Sequence, residues 1–325
     1  MGQVSYLLAN FGGPRNLGEI ASFLQELLTD RDVIRTGAPA WIDSLFFRRV
    51  ARKRVPLVTG YYEKIGGKSP IYDDTEALAE ALRPQLNGPV FTFHRYLSAT
   101  HSAFLETICS IDCSELRVFP LFPQFTYATT GSIARWFARQ LPRDLVSRIG
   151  WVKSYATAPA FLAPFKQIVR NFLTQNGLRE EETVLLCSPH GLPKQYVDEG
   201  DPYQKECEAS FRALMSAFPQ AQGLLAYQSQ FGRTEWIRPY TSDLCRNLLP
   251  YLSRRKHVVL IPLSFTSDHV ETLFEIEYEY LPLIRKQGLS AYRCPALGLS
   301  PEWISGIISL LHESRLTPNK ALVRN

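Results

Sequence analysis

Short runs of apolar residues alternate along the chain with longer amphipathic stretches. The apolar runs end in glycine, proline or polar residues, which is typical of buried parallel strands. We predict strands within residues 4–14, 89–96, 116–124, 183–193, 223–232 and 257–268. We predict helices at 18–29, 73–86, 98–110, 130–141, 160–176, 202–218, 235–249 and 270–286. This alternation is the pattern of an α/β fold with doubly wound parallel sheets.

The predicted strands form two groups, one before about residue 125 and one after about residue 180. The chain has 325 residues, and 45% of them are apolar, which is enough for one large or two ordinary α/β cores. We therefore predict two similar lobes, an N-terminal lobe over 1–150 and a C-terminal lobe over 151–325. The terminal helix is expected to pack back on the first lobe. In such folds, ligands bind at the carboxyl ends of the strands.

Composition narrows the class of protein. No stretch reaches the roughly 18 consecutive apolar residues of a spanning helix, and the first residues do not have the pattern of a signal peptide. The net charge is +5, and 31 of the residues are acidic. This balance of basic and acidic residues is not typical of nucleic-acid-binding proteins. Six cysteines occur without a CxxC motif, which argues against a zinc finger or a redox pair. We expect a cytoplasmic protein without a nucleotide motif or a nucleic-acid partner.

An acidic segment, SFTSDHVETLFEIEYEY (residues 264–280), carries five acidic residues and no lysine or arginine. On an α-helix, Asp268, Glu271, Glu275 and Glu279 would fall within an arc of about 80°. One interpretation is a solvated face in which Asp268 and Glu271 form a capping box. The other is a path for cations, because like charges four residues apart destabilise a helix by about 0.2–0.5 kcal/mol per pair. The segment alone leaves both open.

Two histidines follow predicted strands in the second half of the chain. His190 comes after an apolar run, and His269 lies beside Asp268 and close to Glu271. A histidine in such a place is either a satisfied loop residue or a base or metal ligand that works near neutral pH. Imidazole and carboxylate donors suit first-row divalent metals. Together these residues indicate a cleft that handles Fe²⁺, Co²⁺ or Zn²⁺ in transit.

A basic and aromatic segment, WIDSLFFRRVARKRV, spans residues 41–55. Its bulky apolar residues are Trp41, Leu45, Phe46 and Phe47, and its basic residues are Arg48, Arg49, Arg52, Lys53 and Arg54. It is either a core-facing helix with a basic outer face or a segment that binds an anionic amphiphile or an anionic membrane surface. Composition does not separate the two.

Several motifs together resemble the ferrochelatase family. They are LLANFGGPRNLGEIASFLQELLTDRDVI (7–34), YYEKIGGKSPI (61–71), LFPQFTYATTGS (121–132), SPHGLP (188–193), GDPY (200–203), QSQFGRTEW (228–236) and the acidic segment. The resemblance covers nearly the whole chain, in the family's order. It implies two Rossmann-like lobes with a porphyrin bound in a cleft between them. It also implies insertion of Fe²⁺ into protoporphyrin IX to form protohaem, the terminal step of haem biosynthesis, with release of two pyrrole protons.

The resemblance also implies roles for individual residues. His190 matches the family's catalytic histidine, and Glu271 matches the glutamate that faces it across the porphyrin, so both are expected to be catalytic and to contact the metal. Four further residues match a path for metal or protons along a π-helical stretch: Asp268, His269, Glu275 and Glu279. Six residues match positions around the porphyrin pocket: Asn10, Phe11, Tyr62, Ser69, Arg95 and Tyr96. The segment 41–55 matches a lip over the pocket mouth, for which we expect transient contact with a membrane surface.

Some expectations concern what distinguishes this chain within the family. No cysteine follows Cys294, so we expect no [2Fe–2S] cluster, and we expect a monomer. The NFGGP sequence resembles members that use protoporphyrin. Two alternatives stay open: a cobalt chelatase acting on a corrin precursor, and a non-catalytic carrier of haem or metal. In a carrier, nothing would require His190 and Glu271 to face each other.

Overall fold

The computed structural model describes residues 2–232 and 234–324. It divides into two compact units, one formed by Met1–Ser154 with Ile307–Asn325 and the other by Tyr155–Gly306. The sequence predicts one boundary at residue 150, with all of 151–325 in the second lobe. In the structure the first boundary follows Ser154, and the last residues of the chain group with the first unit.

The first unit is built on a five-stranded sheet with the strand order β2-β1-β3-β4-β9. The strands are β1 (Gln3–Asn10), β2 (Val90–His94), β3 (Cys113–Pro120), β4 (Ile149–Trp151) and β9 (Thr317–Pro318). The first four run parallel, and β9 pairs antiparallel with β4 at the edge. Leu7, Val118 and Trp151 have no exposed surface and lie in the core on this sheet.

The helices of the first unit connect these strands. They are α1 (Ile20–Thr29), α2 (Ala40–Lys64), α3 (Pro70–Leu82), α4 (His101–Cys109), α5 (Ser132–Gln140) and α6 (Arg143–Ser147). Short turns of 3₁₀-helix lie at Leu17–Glu19, Ser98–Thr100 and Asn319–Leu322, and a single π-turn lies at Tyr127–Gly131. The long helix α2 was not among the predicted helices, because its apolar residues are not confined to one face.

The second unit contains a four-stranded, wholly parallel sheet with the strand order β6-β5-β7-β8. The strands are β5 (Thr183–Cys187), β6 (Gln222–Leu225), β7 (His257–Ile261) and β8 (Ser290–Arg293). All five residues of β5 are buried, because this strand lies between two others and is covered on both faces. The central strands are therefore the apolar runs that sequence reasoning found most easily.

The helices of the second unit include one long π-helix. The α-helices are α7 (Pro159–Gln175), α8 (Lys194–Asp198), α9 (Tyr203–Met215), α10 (Thr241–Arg246) and α11 (Leu281–Arg285), followed by α12 (Pro301–Glu313), which crosses the boundary of the two units. The π-helix spans Glu271–Tyr280, and 3₁₀ turns lie at Glu180–Glu182 and Leu249–Tyr251. The helix predicted at 235–249 is mostly irregular, with α10 as its helical part.

Each of the six predicted strands is present in the structure, although shorter than its apolar run. The strands β4, β8 and β9 were not predicted because they are short and, unlike the equally short β6, do not lie in a longer apolar run. Among residues 2–232 and 234–324, no helix combines the length and the apolar character needed to cross a membrane.

Two glycines in helix interiors give a matched test of packing. A Cβ atom on Gly306 in α12 would lie 2.2 Å from the carbonyl oxygen of Ala160, whereas a Cβ on Gly60 in α2 would meet no atom within 4 Å. We expect Gly306→Ala to lower the free energy of unfolding by about 1–3 kcal/mol through overpacking. We expect Gly60→Ala to raise it by about 0.4–1 kcal/mol by restricting the unfolded chain. Urea unfolding of both variants measures this, and equal effects would contradict the packing at α12.

Candidate active site

The polar residues of the candidate site leave the carboxyl ends of the strands in the second unit. His190 lies three residues beyond β5, Gln228 and Ser229 follow β6, and Glu271 begins the π-helix beyond β7. Parallel strands end at the same edge of a sheet, and β5 lies next to β7. The topology therefore brings residues distant in sequence to one place.

The backbone of His190 is held by three different segments. Its N–H donates to Ser264 Oγ at 2.9 Å, and its carbonyl accepts from the Tyr203 hydroxyl at 3.0 Å. The neighbouring Gly191 N–H donates to the carbonyl of Gln228 at 2.8 Å. A Cβ on Gly191 would lie 2.9 Å from that same carbonyl oxygen and 2.9 Å from the Trp236 ring, so this close approach requires glycine. The loop that carries the histidine is therefore rigidly placed.

The imidazole of His190 faces the carboxylate of Glu271. His190 Nδ1 lies 2.5 Å from the Gly191 carbonyl oxygen, which accepts only, so Nδ1 carries a proton. Nε2 lies 3.5 Å from Glu271 Oε1, and each of the two side chains is 34% exposed. Both groups are thus accessible to a substrate while they remain within reach of each other.

The two groups hold each other in their charged forms. Desolvation acts to lower the pKa of His190, but the Glu271 carboxylate, together with the Gly191 carbonyl and the Glu275 carboxylate, outweighs it and raises that pKa. Desolvation likewise acts to raise the pKa of Glu271, and the facing imidazole outweighs it and lowers that pKa. At neutral pH the substrate-free site therefore contains an imidazolium and a carboxylate.

Glu275 lies one step further along the π-helix and is held by three donors. Its carboxylate accepts from Tyr280 Oη at 2.5 Å, from Gln228 Nε2 at 3.3 Å and from the Ser229 hydroxyl. Ser229 has a φ of +65°, an uncommon backbone conformation for a residue other than glycine. Burial, followed by repulsion from the Glu271 carboxylate, raises the pKa of Glu275 to about 7.

His269 supports the start of the π-helix. Its Nδ1 accepts the backbone N–H of Glu271 at 3.2 Å, and its ring packs edge-on against Phe265 with the centroids 4.5 Å apart. Burial lowers the pKa of His269 and outweighs the attraction of Glu271 and Asp268. His269 is thus a neutral imidazole at neutral pH, and its Nδ1 is already used by the backbone.

The acidic segment does not form the α-helix predicted from its pattern. Residues Glu271–Tyr280 form a π-helix, as the resemblance implied, and the predicted capping box between Asp268 and Glu271 is absent. Asp268 Oδ1 instead accepts from Thr272 Oγ1 at 2.7 Å and from Arg293 Nη1 at 2.9 Å. An arginine distant in sequence thus relieves part of the negative charge, which the local pattern did not reveal.

The side chains of this site that have metal-binding chemistry are imidazole and carboxylate groups. Within residues 2–232 and 234–324, no group of three or more His, Cys, Asp or Glu side chains is arranged to hold a metal ion. The six cysteines are free thiols, and five of them are buried, Cys109 being the exposed one. The His190–Glu271 pair and the nearby Glu275 carry donor types that suit first-row divalent cations, and their binding of a metal ion stays a prediction.

Comparison with known proteins decides the family. A family model described as ferrochelatase matches residues 3–315. The chain is 42% identical over 321 residues to the ferrochelatase of Chlamydia caviae, covering 99% of each chain. It is 40% identical over 321 residues to the ferrochelatase of Chlamydia pneumoniae, covering 99% of this chain and 96% of the relative. The chain belongs to the ferrochelatase family. The resemblance found in the motifs is confirmed.

Solved structures of other chelatases share the fold. CbiX, described as the terminal enzyme for biosynthesis of sirohaem in denitrifying bacteria, has a TM-score of 0.51 at 15% identity, covering 96% of this chain and 100% of its own. SirB from Bacillus subtilis has a TM-score of 0.51 at 12% identity, covering 95% and 96%. At these identities the likeness concerns the fold. The predicted α/β class with two parallel sheets is confirmed.

The six residues that match the family's porphyrin pocket all belong to the first unit, and four of them are buried there: Asn10, Tyr62, Ser69 and Tyr96. Asn10 Nδ2 donates to Thr75 Oγ1 at 2.9 Å. The ring of Phe11 packs against Tyr96 with the centroids 4.9 Å apart. Their contact with a porphyrin stays a prediction, and for the four buried side chains the structure describes an interior position.

Arg95 and Tyr96 converge on an aspartate that sequence reasoning missed. Asp30 Oδ2 accepts from Arg95 Nη2 at 2.6 Å, from Tyr96 Oη at 2.9 Å and from Ser132 Oγ at 2.5 Å. Asp30 belongs to the LLTDRD part of the N-terminal motif and Ser132 to the end of LFPQFTYATTGS. Both motifs were recognised, but nothing in either indicates that the two side chains meet.

The segment 41–55 lies on α2 and has an exposed face that is both apolar and basic. Trp41 is 67% exposed, Leu45 61% and Phe46 54%. Asp43 and Phe47 are buried on the other face. The interpretation of 41–55 as a core-facing helix therefore describes the buried face and leaves the exposed apolar residues unexplained. The exposed face lines an open groove of about 530 Å³, formed by Trp41, Ile42, Leu45, Phe46, Arg48, Arg49 and Arg52.

The raised pKa of Glu275 predicts how stability depends on pH. Between its ordinary value of 4.5 and about 7, the folded state binds more protons than the unfolded state, so stability falls as pH rises through that range. Glutamine does not ionise. We expect Glu275→Gln to be more stable than the wild type at pH 8 by about 1–2 kcal/mol after solvent screening, and no more stable at pH 4.

Urea unfolding at the two pH values measures this difference. Glu208→Gln on α9 is the control, because the Glu208 side chain is 39% exposed and its Oε2 lies 3.9 Å from Arg212 Nη1, and it should change stability by less than about 0.5 kcal/mol at either pH. A gain for Glu275→Gln that is equal at pH 4 and pH 8 would contradict the role assigned to its charge.

Proposed function

We propose that this chain inserts Fe²⁺ into protoporphyrin IX to form protohaem, with His190 and Glu271 carrying the chemistry. Ferrochelatases are lyases that insert iron into protoporphyrin in haem biosynthesis, and this chain belongs to that family. The observation that supports the residue assignment is the 3.5 Å approach of His190 Nε2 to Glu271 Oε1. These are the two positions that match the family's catalytic pair.

The reaction requires acceptors for two pyrrole protons. In the proposed mechanism His190 accepts the two pyrrole protons one after the other at Nε2, because Nδ1–H is directed at the Gly191 carbonyl, and it passes the first on before it accepts the second. Since the raised pKa of His190 keeps the resting imidazole protonated, it must first release a proton. Glu275 can take part in that transfer, because a pKa of about 7 suits proton exchange at neutral pH.

The carboxylates supply the other half of the chemistry. Glu271 would bind the incoming Fe²⁺ or relay protons, and Glu275 and Glu279 would extend its negative charge along the π-helix. A cation at Glu271 would weaken the hold of that carboxylate on the His190 proton and lower the pKa of His190. Arrival of the cation thereby favours the neutral imidazole that the reaction needs.

The porphyrin itself must be bound in a form that exposes its nitrogens. A flat ring presents them poorly to a metal ion, so binding a bent ring more tightly than a flat one would favour the transition state. We assign this binding to the positions matched in the first unit, of which Phe11 and Arg95 are partly accessible. The packing of Phe11 against Tyr96 and the ion pair of Arg95 with Asp30 hold these two side chains in place.

The cobalt chelatase and the carrier remain less supported. Likeness to CbiX and SirB at 12–15% identity concerns the fold, whereas relatives at 40–42% identity over the whole chain are ferrochelatases. Anaerobic incubation with Fe²⁺ and protoporphyrin tests the proposal, because metallation abolishes the fluorescence of the free base. Persistent fluorescence with the ring bound would favour the carrier, and faster turnover with Co²⁺ on a corrin precursor would favour the cobalt enzyme.

Replacement of His190 separates proton acceptance from packing. We expect His190→Ala to keep its fold and to bind porphyrin within about threefold of the wild type, while kcat for metallation falls by about 10²–10⁴. Fluorescence titration and anaerobic metallation kinetics measure the two quantities. His257→Ala is the control, because His257 begins β7 and therefore lies at the amino-terminal end of the strands, away from the carboxyl ends that carry the site. Equal losses of ring affinity and of turnover in His190→Ala would indicate a structural histidine or a carrier.

We further propose that α2 contacts a membrane surface transiently and that the protein is otherwise a cytoplasmic monomer without an iron–sulfur cluster. The membrane contact is supported by the exposed apolar and basic face of α2. One such segment gives marginal and reversible attachment. The expectation of no cluster came from the absence of a cysteine after Cys294, and the burial of five of the six cysteines as separate thiols supports it.

Vesicle binding tests the role of α2. We expect co-sedimentation with vesicles containing anionic lipid at low salt and little at high salt, because each basic residue near the surface contributes about 1 kcal/mol. Joint replacement of Arg48, Arg49 and Arg52 by Gln should abolish it. The KM for porphyrin is measured in parallel. If one of these arginines pairs with a porphyrin propionate, replacing that arginine alone would raise the KM, whether or not vesicles are present. Tight binding that survives high salt would contradict transient contact.

A further inference from the structure

Arg293 is the last residue of β8 and contacts the acidic segment at two separate places. Its Nη1 donates to Asp268 Oδ1 at 2.9 Å, and its Nε donates to Glu277 Oε1 at 3.1 Å. The guanidinium side chain is 16% exposed, so these contacts are screened less than those of a surface pair. One arginine therefore ties a residue before the π-helix to a residue within it.

The Asp268 end of this bridge also fixes the entry into the π-helix. Asp268 Oδ1 accepts from Thr272 Oγ1 at 2.7 Å, and the same hydroxyl oxygen accepts the His269 N–H at 3.0 Å. Thr272 has no exposed surface. Arg293 is thus linked through Asp268 to the Thr272 side chain, and through Thr272 to the backbone N–H of His269. These residues lie on either side of Glu271 in the sequence.

The opposite side of the π-helix is held by a residue that follows the other edge strand of the sheet. Gln228 Nε2 donates to the Glu271 carbonyl at 3.1 Å and to Glu275 Oε2 at 3.3 Å. Gln228 follows β6, one edge strand of the sheet, and Arg293 ends β8, the other edge strand. His190 follows the inner strand β5. The π-helix is therefore fixed from both edges, with its first residue opposite the histidine.

A π-helix of this length needs such support. π-Helices occur mostly as single turns within α-helices, whereas this one spans ten residues. Side chains two positions apart on a helix point in different directions, so Glu277 faces Arg293 while Glu275 faces Ser229. The planar guanidinium presents its two donors in a fixed geometry, and this geometry sets the rotation of the helix about its axis.

We propose that Arg293 is a positioning residue for metallation, which holds the π-helix in the rotation that places Glu271 opposite His190. This inference rests on the proposed function of that pair. Arg293 itself touches neither His190 nor Glu271 through any of its hydrogen bonds or ion pairs described above. Asp268 and Glu277 accordingly act as anchors for Arg293, and Glu271 and Glu275 remain for the chemistry.

Replacement of Arg293 tests the proposal through a split between binding and turnover. We expect Arg293→Met, which retains an apolar stem, to lower kcat for metallation at least tenfold with porphyrin Kd unchanged within twofold. Arg293→Lys should recover part of kcat, because one ammonium can pair with one of the two acids. Glu277→Gln should cause a smaller loss, and Arg293→Met combined with Glu277→Gln should be no worse than Arg293→Met alone. Arg246→Met is the control, since Arg246 pairs with Asp243 at 2.8 Å on the surface of the same unit.

Hydrogen exchange of the substrate-free protein tests positioning independently of activity. We expect the amides of 271–280 to exchange at least tenfold faster in Arg293→Met, and those of α9 to exchange at the wild-type rate. If the wild type fails to metallate protoporphyrin, the proposed function is wrong, whereas the exchange experiment still decides whether Arg293 holds the π-helix.

Several outcomes would overturn the proposal. Wild-type kcat in a folded Arg293→Met would do so, as would unchanged exchange at 271–280. Faster exchange with an unchanged kcat would make Arg293 a purely structural residue, and a parallel loss of porphyrin affinity and kcat would indicate a general disturbance. If Arg293→Met does not fold, Arg293→Lys and Glu277→Gln carry the same test, and wild-type kcat in both would count against it.

Discussion

The ion pair between His190 and Glu271 places the strongest constraint on the second unit. Two opposite charges 3.5 Å apart and one-third exposed stabilise each other only if both backbones are held firmly. The strand order β6-β5-β7-β8 meets this requirement, because β5 and β7 are neighbours and adjacent strands lie about 4.8 Å apart. Loops leaving their carboxyl ends therefore start close together. The backbone hydrogen bonds of His190 to Ser264 and Tyr203 fix the remaining freedom on the histidine side.

The same constraint explains why the acidic segment is not simply a solvated face. Five acids close together would repel one another, and in the structure four of them are divided among different partners. Asp268 and Glu277 pair with Arg293, and Glu271 faces His190. Glu275, which has hydroxyl and amide donors instead of a cation, is the carboxylate whose pKa rises. The negative charges of Asp268 and Glu277, which hold the helix in place, are thus neutralised by an arginine. Among the described residues no cation forms an ion pair with Glu275, and its charge is available to bind a proton or a metal ion.

Sequence patterns predicted those parts of the site that depend on residues close together in the chain. The runs before His190 and before Asp268 each contain a continuous apolar stretch, at 184–187 and 258–261, and such stretches indicate central strands that end at a ligand-binding edge. The motif resemblance then identified His190 and Glu271. The chain could not reveal in the same way that Arg293 reaches Asp268 and Glu277, because that contact depends on how β8 pairs with β7. The contacts of Ser229 and Tyr280 with Glu275 were also missed, although both residues lie within recognised motifs. The first depends on how the segment after β6 meets the π-helix, and the second on the π-helical geometry itself.

The errors in the fold have a related origin. An α-helix was predicted at 270–286 because the ten residues of the π-helix make only about two turns, too few for the apolar–polar period to distinguish an α-helix from a π-helix. The strand β9 has two residues, and its place in the sheet depends on β4, far earlier in the chain. In α2, exposed Trp41 and Leu45 obscured the buried face formed by Phe47 and its neighbours. Residues that serve an outside surface therefore weaken the pattern that predicts the core.

The charge state of the resting site constrains the order of events in the proposed mechanism. His190 cannot accept a pyrrole proton while it carries its own, and the Glu271 carboxylate is the main group that keeps that proton in place. A divalent cation that binds Glu271 removes this attraction, so binding of the metal and release of the histidine proton favour each other. In the proposed mechanism the proton would leave by way of Glu275, whose pKa of about 7 in the substrate-free site lets it accept the proton. The affinity of Glu275 for that proton would fall once the cation offsets the charge of Glu271. A carboxylate facing a histidine can in this way make the base available when the metal arrives, and keep it charged at other times.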